Sequence, residues 1–215
     1  MRIFKMRSIT VGSVALAALL ALGGCSLTVN SSDHGDMGSD HGDMSQMMSP
    51  SAEASASAAD IMFAQMMIPH HQQAVEMSTL AETRASDPFI KQLAAEIKGA
   101  QQPEIDQMKG WLEEWGMPVM DSDEAMGSHM GHGMSGMLTD EQLSELEAAS
   151  GTEFDILYAQ YMIEHHKGAI EMAQDVADSK DPRVAALAAA IIETQQAEIA
   201  EMEAMLQSLQ TQLSS

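Results

Sequence analysis

One segment of this chain occurs twice. Ala64-Gln65-Met66-Met67-Ile68-Pro69-His70-His71-Gln72-Gln73-Ala74-Val75-Glu76-Met77 aligns with Ala159-Gln160-Tyr161-Met162-Ile163-Glu164-His165-His166-Lys167-Gly168-Ala169-Ile170-Glu171-Met172, at an offset of 95 residues. After a one-residue deletion, Asp87-Pro88 aligns with Asp181-Pro182. Gln101-Gln102-Pro103-Glu104-Ile105 and Met108 then match Gln195-Gln196-Ala197-Glu198-Ile199 and Met202. The folded part must therefore be two copies of one small unit. Each copy reads as two helices around an Asp-Pro turn, an αα-hairpin. Pro88 and Pro182 suit the first helical position, with Asp87 and Asp181 as N-caps. The patterns predict helices over 59–84, 88–115, 153–179 and 182–211. A short helix over 140–149 opens on Thr139 and Gln142, a capping box. Pro69 and Pro103 fall inside helical patterns and should bend or locally open them. Aromatic residues make up only 4% of the chain and Met reaches 21. The core must then be Ala, Leu, Ile and Met, and most of these are strong helix formers. The expectation is an all-α chain, a four-helix bundle made of two duplicated hairpins over 59–213, with a Met/His/Gly-rich loop at 116–138.

The first 24 residues read as an address. Arg2, Lys5 and Arg7 precede an apolar run from Ile9 to Leu22, too short to span a membrane comfortably and suited to a signal peptide. The run ends Leu22-Gly23-Gly24-Cys25, which resembles a bacterial lipobox, so Cys25 is the expected lipidation site and membrane anchor. Removing the leader takes the formal charge from −22 to −25, because its three basic residues go with it. So acidic a chain is a poor match for nucleic acid. One Cys excludes an intramolecular disulfide, a multi-thiolate metal site and, in the mature body, a blue-copper ligand set.

Residues 25–58 read as a flexible tether rich in His, Met, Ser and Asp. The unit Asp33-His34-Gly35-Asp36-Met37 recurs as Asp40-His41-Gly42-Asp43-Met44. A second tract, with His129, Met130, His132 and Met134, lies between the two hairpins. Imidazole and thioether on a Gly-rich chain suit a soft ion such as Cu(I). The alternative is an acidic, solvated linker.

Within the hairpins, helical periodicity puts Met67, His70, His71, Ala74 and Met77 on one face, and Met162, His165, His166, Ala169 and Met172 on its counterpart. The stripe of the second helix runs Leu93, Ile97, Ala100, Glu104, Met108, and that of the fourth Leu187, Ile191, Thr194, Glu198, Met202. Counting from the Asp-Pro turns puts His71 level with Glu104 and His166 level with Glu198. A polar layer of His and Glu inside the bundle, flanked by Met, is the result. Adjacent histidines point about 100° apart, so the sequence leaves open which of each pair faces inward. The layer either binds metal or is structural, with Glu104 and Glu198 hydrogen-bonding the histidines.

The paired Met-Ile-x-His-His-x-x-Ala-x-Glu-Met motifs resemble a secreted domain-of-unknown-function family of ferritin-like four-helix bundles, which includes cyanobacterial periplasmic copper-binding CopM proteins. The likeness covers roughly residues 59–210. It implies a bundle outside the cytoplasm, copper binding and copper tolerance. Enzyme signatures are missing: no Glu is followed by His three residues later, as a ferritin-like di-iron site needs, and there is no nucleophile elbow or phosphate loop. The expected role is capture of copper, Cu(I) above all and also Ag(I), for sequestration or delivery to a copper-handling partner. A cell-envelope interaction protein and a metalloenzyme are the alternatives.

Overall fold

The computed structural model describes residues 56–120 and 135–213. The leader, Cys25, the tract of His34, Met37, His41 and Met44, and the tract of His129, Met130, His132 and Met134 lie outside the described residues. Among the described residues all regular structure is helical: α1 (Ala58–Arg84), α2 (Pro88–Glu114), α3 (Asp140–Ala148), α4 (Thr152–Gln174) and α5 (Pro182–Leu213). None of these is long and apolar enough to cross a membrane.

The ends of the helices follow local chemistry. Ser57 and Asp60 form a reciprocal capping box at the start of α1. The Asp87 carboxylate accepts from the Phe89 amide at 2.8 Å with Pro88 following, and Asp181 accepts from the Arg183 amide at 2.9 Å with Pro182 following. Both α1 and α2 run unbroken through Pro69 and Pro103. The expected third long helix stops short: α4 ends at Gln174 rather than at 179. The chain continues in tight turns, Val176 N to Ala173 O, Ala177 N to Gln174 O and Ser179 N to Val176 O. Those turns bury Val176 and bring the Ser179 hydroxyl to Asp60.

Hairpin α1–α2 and hairpin α4–α5 meet along α1 and α4. Small side chains line that seam, with Ala64, Ala74, Ser78, Ala159, Ala169 and Ala173 all buried. They let the axes approach closely. The apolar core falls into two clusters. One joins the first half of α1 and the second half of α2 to the second half of α4 and the start of α5, with Met67, Met108 and Trp111. The other holds Met77, Leu93, Phe154, Tyr158, Met162 and Met202. Burying each such large side chain contributes about 1.5–3 kcal/mol.

Two buried carboxylates staple the hairpins reciprocally. Asp155, near the start of α4, is 2% exposed. It accepts from the Ser86 amide at 3.0 Å, the Ser86 hydroxyl at 2.5 Å and the Asp87 amide at 3.0 Å, all in the turn of the other hairpin. Asp60, at the matching place in the repeat, accepts the Ser179 hydroxyl at 2.7 Å in the opposite turn. Replacing Asp155 removes three hydrogen bonds to a buried carboxylate and unties the turn of the other hairpin, where Ser86 is exposed and Asp87 half-buried. Asp155→Ala is expected to lower unfolding free energy by about 2–4 kcal/mol, read as a lower urea midpoint with unchanged slope.

Candidate metal centre

Four histidines stand between the two apolar clusters, and all four are fully buried. The sequence left one histidine of each pair free to point sideways; the structure turns both inward. His70 and His165 meet across the α1–α4 seam, with ring centroids 3.7 Å apart and planes tilted by 36°. Each remaining histidine turns to its own hairpin. His71 Nε2 donates to Glu104 Oε2 at 2.8 Å, and His166 Nε2 donates to Glu198 Oε2 at 2.7 Å. The expected His/Glu layer is thus assembled, in two pseudo-symmetric halves.

The hydrogen bonds select tautomers. A carbonyl or carboxylate oxygen only accepts, so Nε2 carries a proton on His70, His71 and His166, and on a neutral His70 ring Nδ1 then keeps the lone pair. On His70 the acceptor is the Ser135 carbonyl, at 3.2 Å. The Nδ1 atoms of all four histidines, and Nε2 of His165, are enclosed without a hydrogen-bond partner. Burial first, and then the neighbouring His71, push the His70 pKa down to about 3. Burial and the adjoining His70 hold His165 well below its usual range. Both rings are neutral at pH 7, as metal ligands must be.

A short strap closes one side of this layer. Its Ser135 carbonyl holds His70, and Gln73 clamps Leu138 through Leu138 N to Gln73 Oε1 at 2.8 Å and Gln73 Nε2 to Leu138 O at 3.1 Å. The repeat position equivalent to Gln73 is Gly168. A Cβ there would sit 1.8 Å from the Ser135 carbonyl oxygen. A Cβ on Gly136, at φ +83°, would sit 2.4 Å from the Glu164 carbonyl oxygen of α4. The two copies have diverged where the strap crosses: one grips it and the other makes room.

The other expected ligands are distributed unevenly. Met67 and Met162 are fully buried one turn before His70 and His165. Met77 and Met172 lie six residues beyond His71 and His166, about 9 Å along the axis, so they sit apart from the layer; Met172 is only half-buried. The stripes of α2 and α5 bury Leu93, Ile97, Met108, Leu187, Ile191 and Met202 as expected and depart from expectation at one position each. Ala100 and Thr194 are exposed, and Gln101 and Gln195 are buried in their place, each 3% exposed. Each outer helix packs mainly on its own hairpin partner, so its inward face turns toward that partner. Both glutamines stand in the repeat alignment, and that recurrence was the available signal. Among the described residues, no three His, Cys, Asp or Glu side chains converge as a ready metal-ligand set.

The model of the family described as Domain of unknown function (DUF305) matches residues 60–206. A solved DUF305 protein from Streptomyces coelicolor, described as secreted, is 37% identical, with a TM-score of 0.64, over 70% of this chain and 93% of that one. CopM in its Cu(II)-bound form is 36% identical, with a TM-score of 0.61, over 70% of this chain and 97% of that one. The uncharacterized protein L153 of Acanthamoeba polyphaga mimivirus is 50% identical over 48 residues, which is 22% of this chain and 32% of that protein.

Two outcomes follow from the layer. In helices Gly to Ala normally stabilises by about 1 kcal/mol. Gly168→Ala is expected to do the reverse and cost about 1–3 kcal/mol, because the strap backbone must move; thermal unfolding gives the sign. The second is pH dependence of the metal-free protein. The folded pKa values of His70 and His165 lie below the ordinary 6.5, so unfolding takes up protons below that pH. Stability is full above about pH 6.5 and falls as the pH drops toward 3, by up to about 1.4 kcal/mol per unit for each ring. Denaturant titrations from pH 8 to 4.5 measure the slope, and a flat profile would contradict two enclosed neutral rings.

Proposed function

Since this chain belongs to the DUF305 family, we propose that it binds copper and holds Cu(I) at the His70–His165 pair. The observation that carries this reading is that pair: two neutral, fully buried imidazoles in ring contact, with lone pairs enclosed and unused. Met67 and Met162, one turn away, add thioether, and imidazole with thioether is a soft donor set. CopM, solved with Cu(II), Cu(I) and silver at 36%, 32% and 31% identity to this chain, supports the choice of metal. Met77 and Met172 are second-rank candidates by their distance from the layer. The tracts of His34, Met37, His41 and Met44, and of His129, Met130, His132 and Met134, would capture ions; the latter tract ends at the strap residue Ser135. The protein works by sequestration or delivery rather than turnover, outside the cytoplasm and anchored through Cys25.

A second reading has its own support. The His71–Glu104 and His166–Glu198 hydrogen bonds are what a structural layer fixing the helix register would use.

The deciding measurement is an anaerobic Cu(I) titration against a chromophoric chelator, on the wild type and on His70→Leu/His165→Leu. Loss of one tight equivalent, or a hundredfold or greater weakening, is expected in the variant. Micromolar or weaker binding by the wild type would sink the copper reading and leave the structural one.

A further inference from the structure

The layer has an outer side that the copper reading does not use. Between α2 and α5 runs a narrow cleft lined by Gln101, Glu104, Ile191, Thr194, Gln195 and Glu198. Its cavity volume is about 10 Å³, the space one water molecule or one bare ion fills. We propose that this cleft is a second cation site, for one oxygen-preferring divalent ion of the calcium class, held by the carboxylates of Glu104 and Glu198 and the amide oxygens of Gln101 and Gln195.

Three observations meet there. Gln101 and Gln195 are both 3% exposed, and each encloses an amide oxygen with no hydrogen-bond partner. An enclosed, unpaired polar atom is costly, and here the cost recurs at both repeat-equivalent positions. Next, Glu104 and Glu198 each use one oxygen on a histidine Nε2–H, which leaves the second oxygen of each for another partner. The histidine also fixes the carboxylate plane, as an outer-shell partner of a metal ligand does. Finally, none of the residues lining the cleft is basic, so two carboxylate charges face a space with no counter-charge on its walls.

The donor set is oxygen throughout, with neither thioether nor imidazole aimed at the ion. Carboxylate and amide oxygen select hard ions. Ca²⁺ accepts mixed oxygen ligands in irregular geometry and completes its shell with water, whereas Mg²⁺ demands a near-ideal octahedron. Among the described residues the cleft is lined by Glu104 and Glu198 and no further carboxylate, so the amides are required to complete the set. The layer then has two chemistries on its two sides, soft donors at the α1–α4 seam and hard donors at the α2–α5 cleft.

The test is calorimetric titration of the chelator-stripped protein with Ca²⁺, on the wild type and on Gln101→Leu/Gln195→Leu. One equivalent is expected in the wild type, with affinity reduced at least tenfold in the variant and Cu(I) affinity unchanged. No binding by the wild type, or equal binding by the variant, overturns the site and assigns any Ca²⁺ uptake to the acidic surface. Should the double variant fail to fold, Glu104→Gln keeps the shape and the histidine contact, and the same tenfold loss is required of it. The Cu(I) titration is read separately, so failure of the cleft and failure of the copper reading are distinguishable.

Discussion

The contact between His70 and His165 is the point on which the bundle turns. It is where one hairpin touches the other at the level of the polar layer, and it divides an otherwise continuous core into two apolar clusters. A layer placed there only for stability would be expected to satisfy its polar atoms. This one leaves five ring nitrogens enclosed and unpartnered, at about 1–3 kcal/mol for each group. The small-residue seam and the Asp60 and Asp155 staples offset that cost. The proposed metal site would give those unpaired atoms a partner.

Most of the architecture was legible because the duplication tests each inference twice. Helix order, both Asp-Pro caps and the level of the His/Glu layer follow from counting residues from two matching turns. The His71–Glu104 and His166–Glu198 partners emerged from that count alone. What escaped was lateral. Periodicity assumes that a stripe faces the centre of the whole bundle, whereas α2 and α5 each face one partner, so Gln101 and Gln195 took the place of Ala100 and Thr194. The end of α4 also escaped, because the turn after Gln174 is shaped by the reach of Ser179 to a carboxylate more than a hundred residues earlier.

The strap shows a different limit. Its ties, Ser135 to His70 and Leu138 to Gln73, join residues 65 apart in the chain, and no local pattern announces them. Their trace is the Gln73/Gly168 mismatch, one of five differences in the fourteen aligned positions and the one that removes a whole side chain. In a repeat protein, the position where the copies disagree in size marks a place where something crosses one copy and not the other.

The reciprocity of the Asp60 and Asp155 staples has a consequence for the origin of the chain. Each hairpin reaches the turn of the other through the same aspartate position, although the serines reached, Ser86 and Ser179, stand one place apart in the repeat; a reciprocal contact of this kind resembles that of an isologous twofold dimer. A single hairpin with one such aspartate could therefore assemble with its own copy and close both turns. Joining two copies in one polypeptide keeps that contact and releases them from identity. A strictly symmetric pair would have to grip two straps or none, so the covered, one-sided histidine layer is accessible only to the fused form.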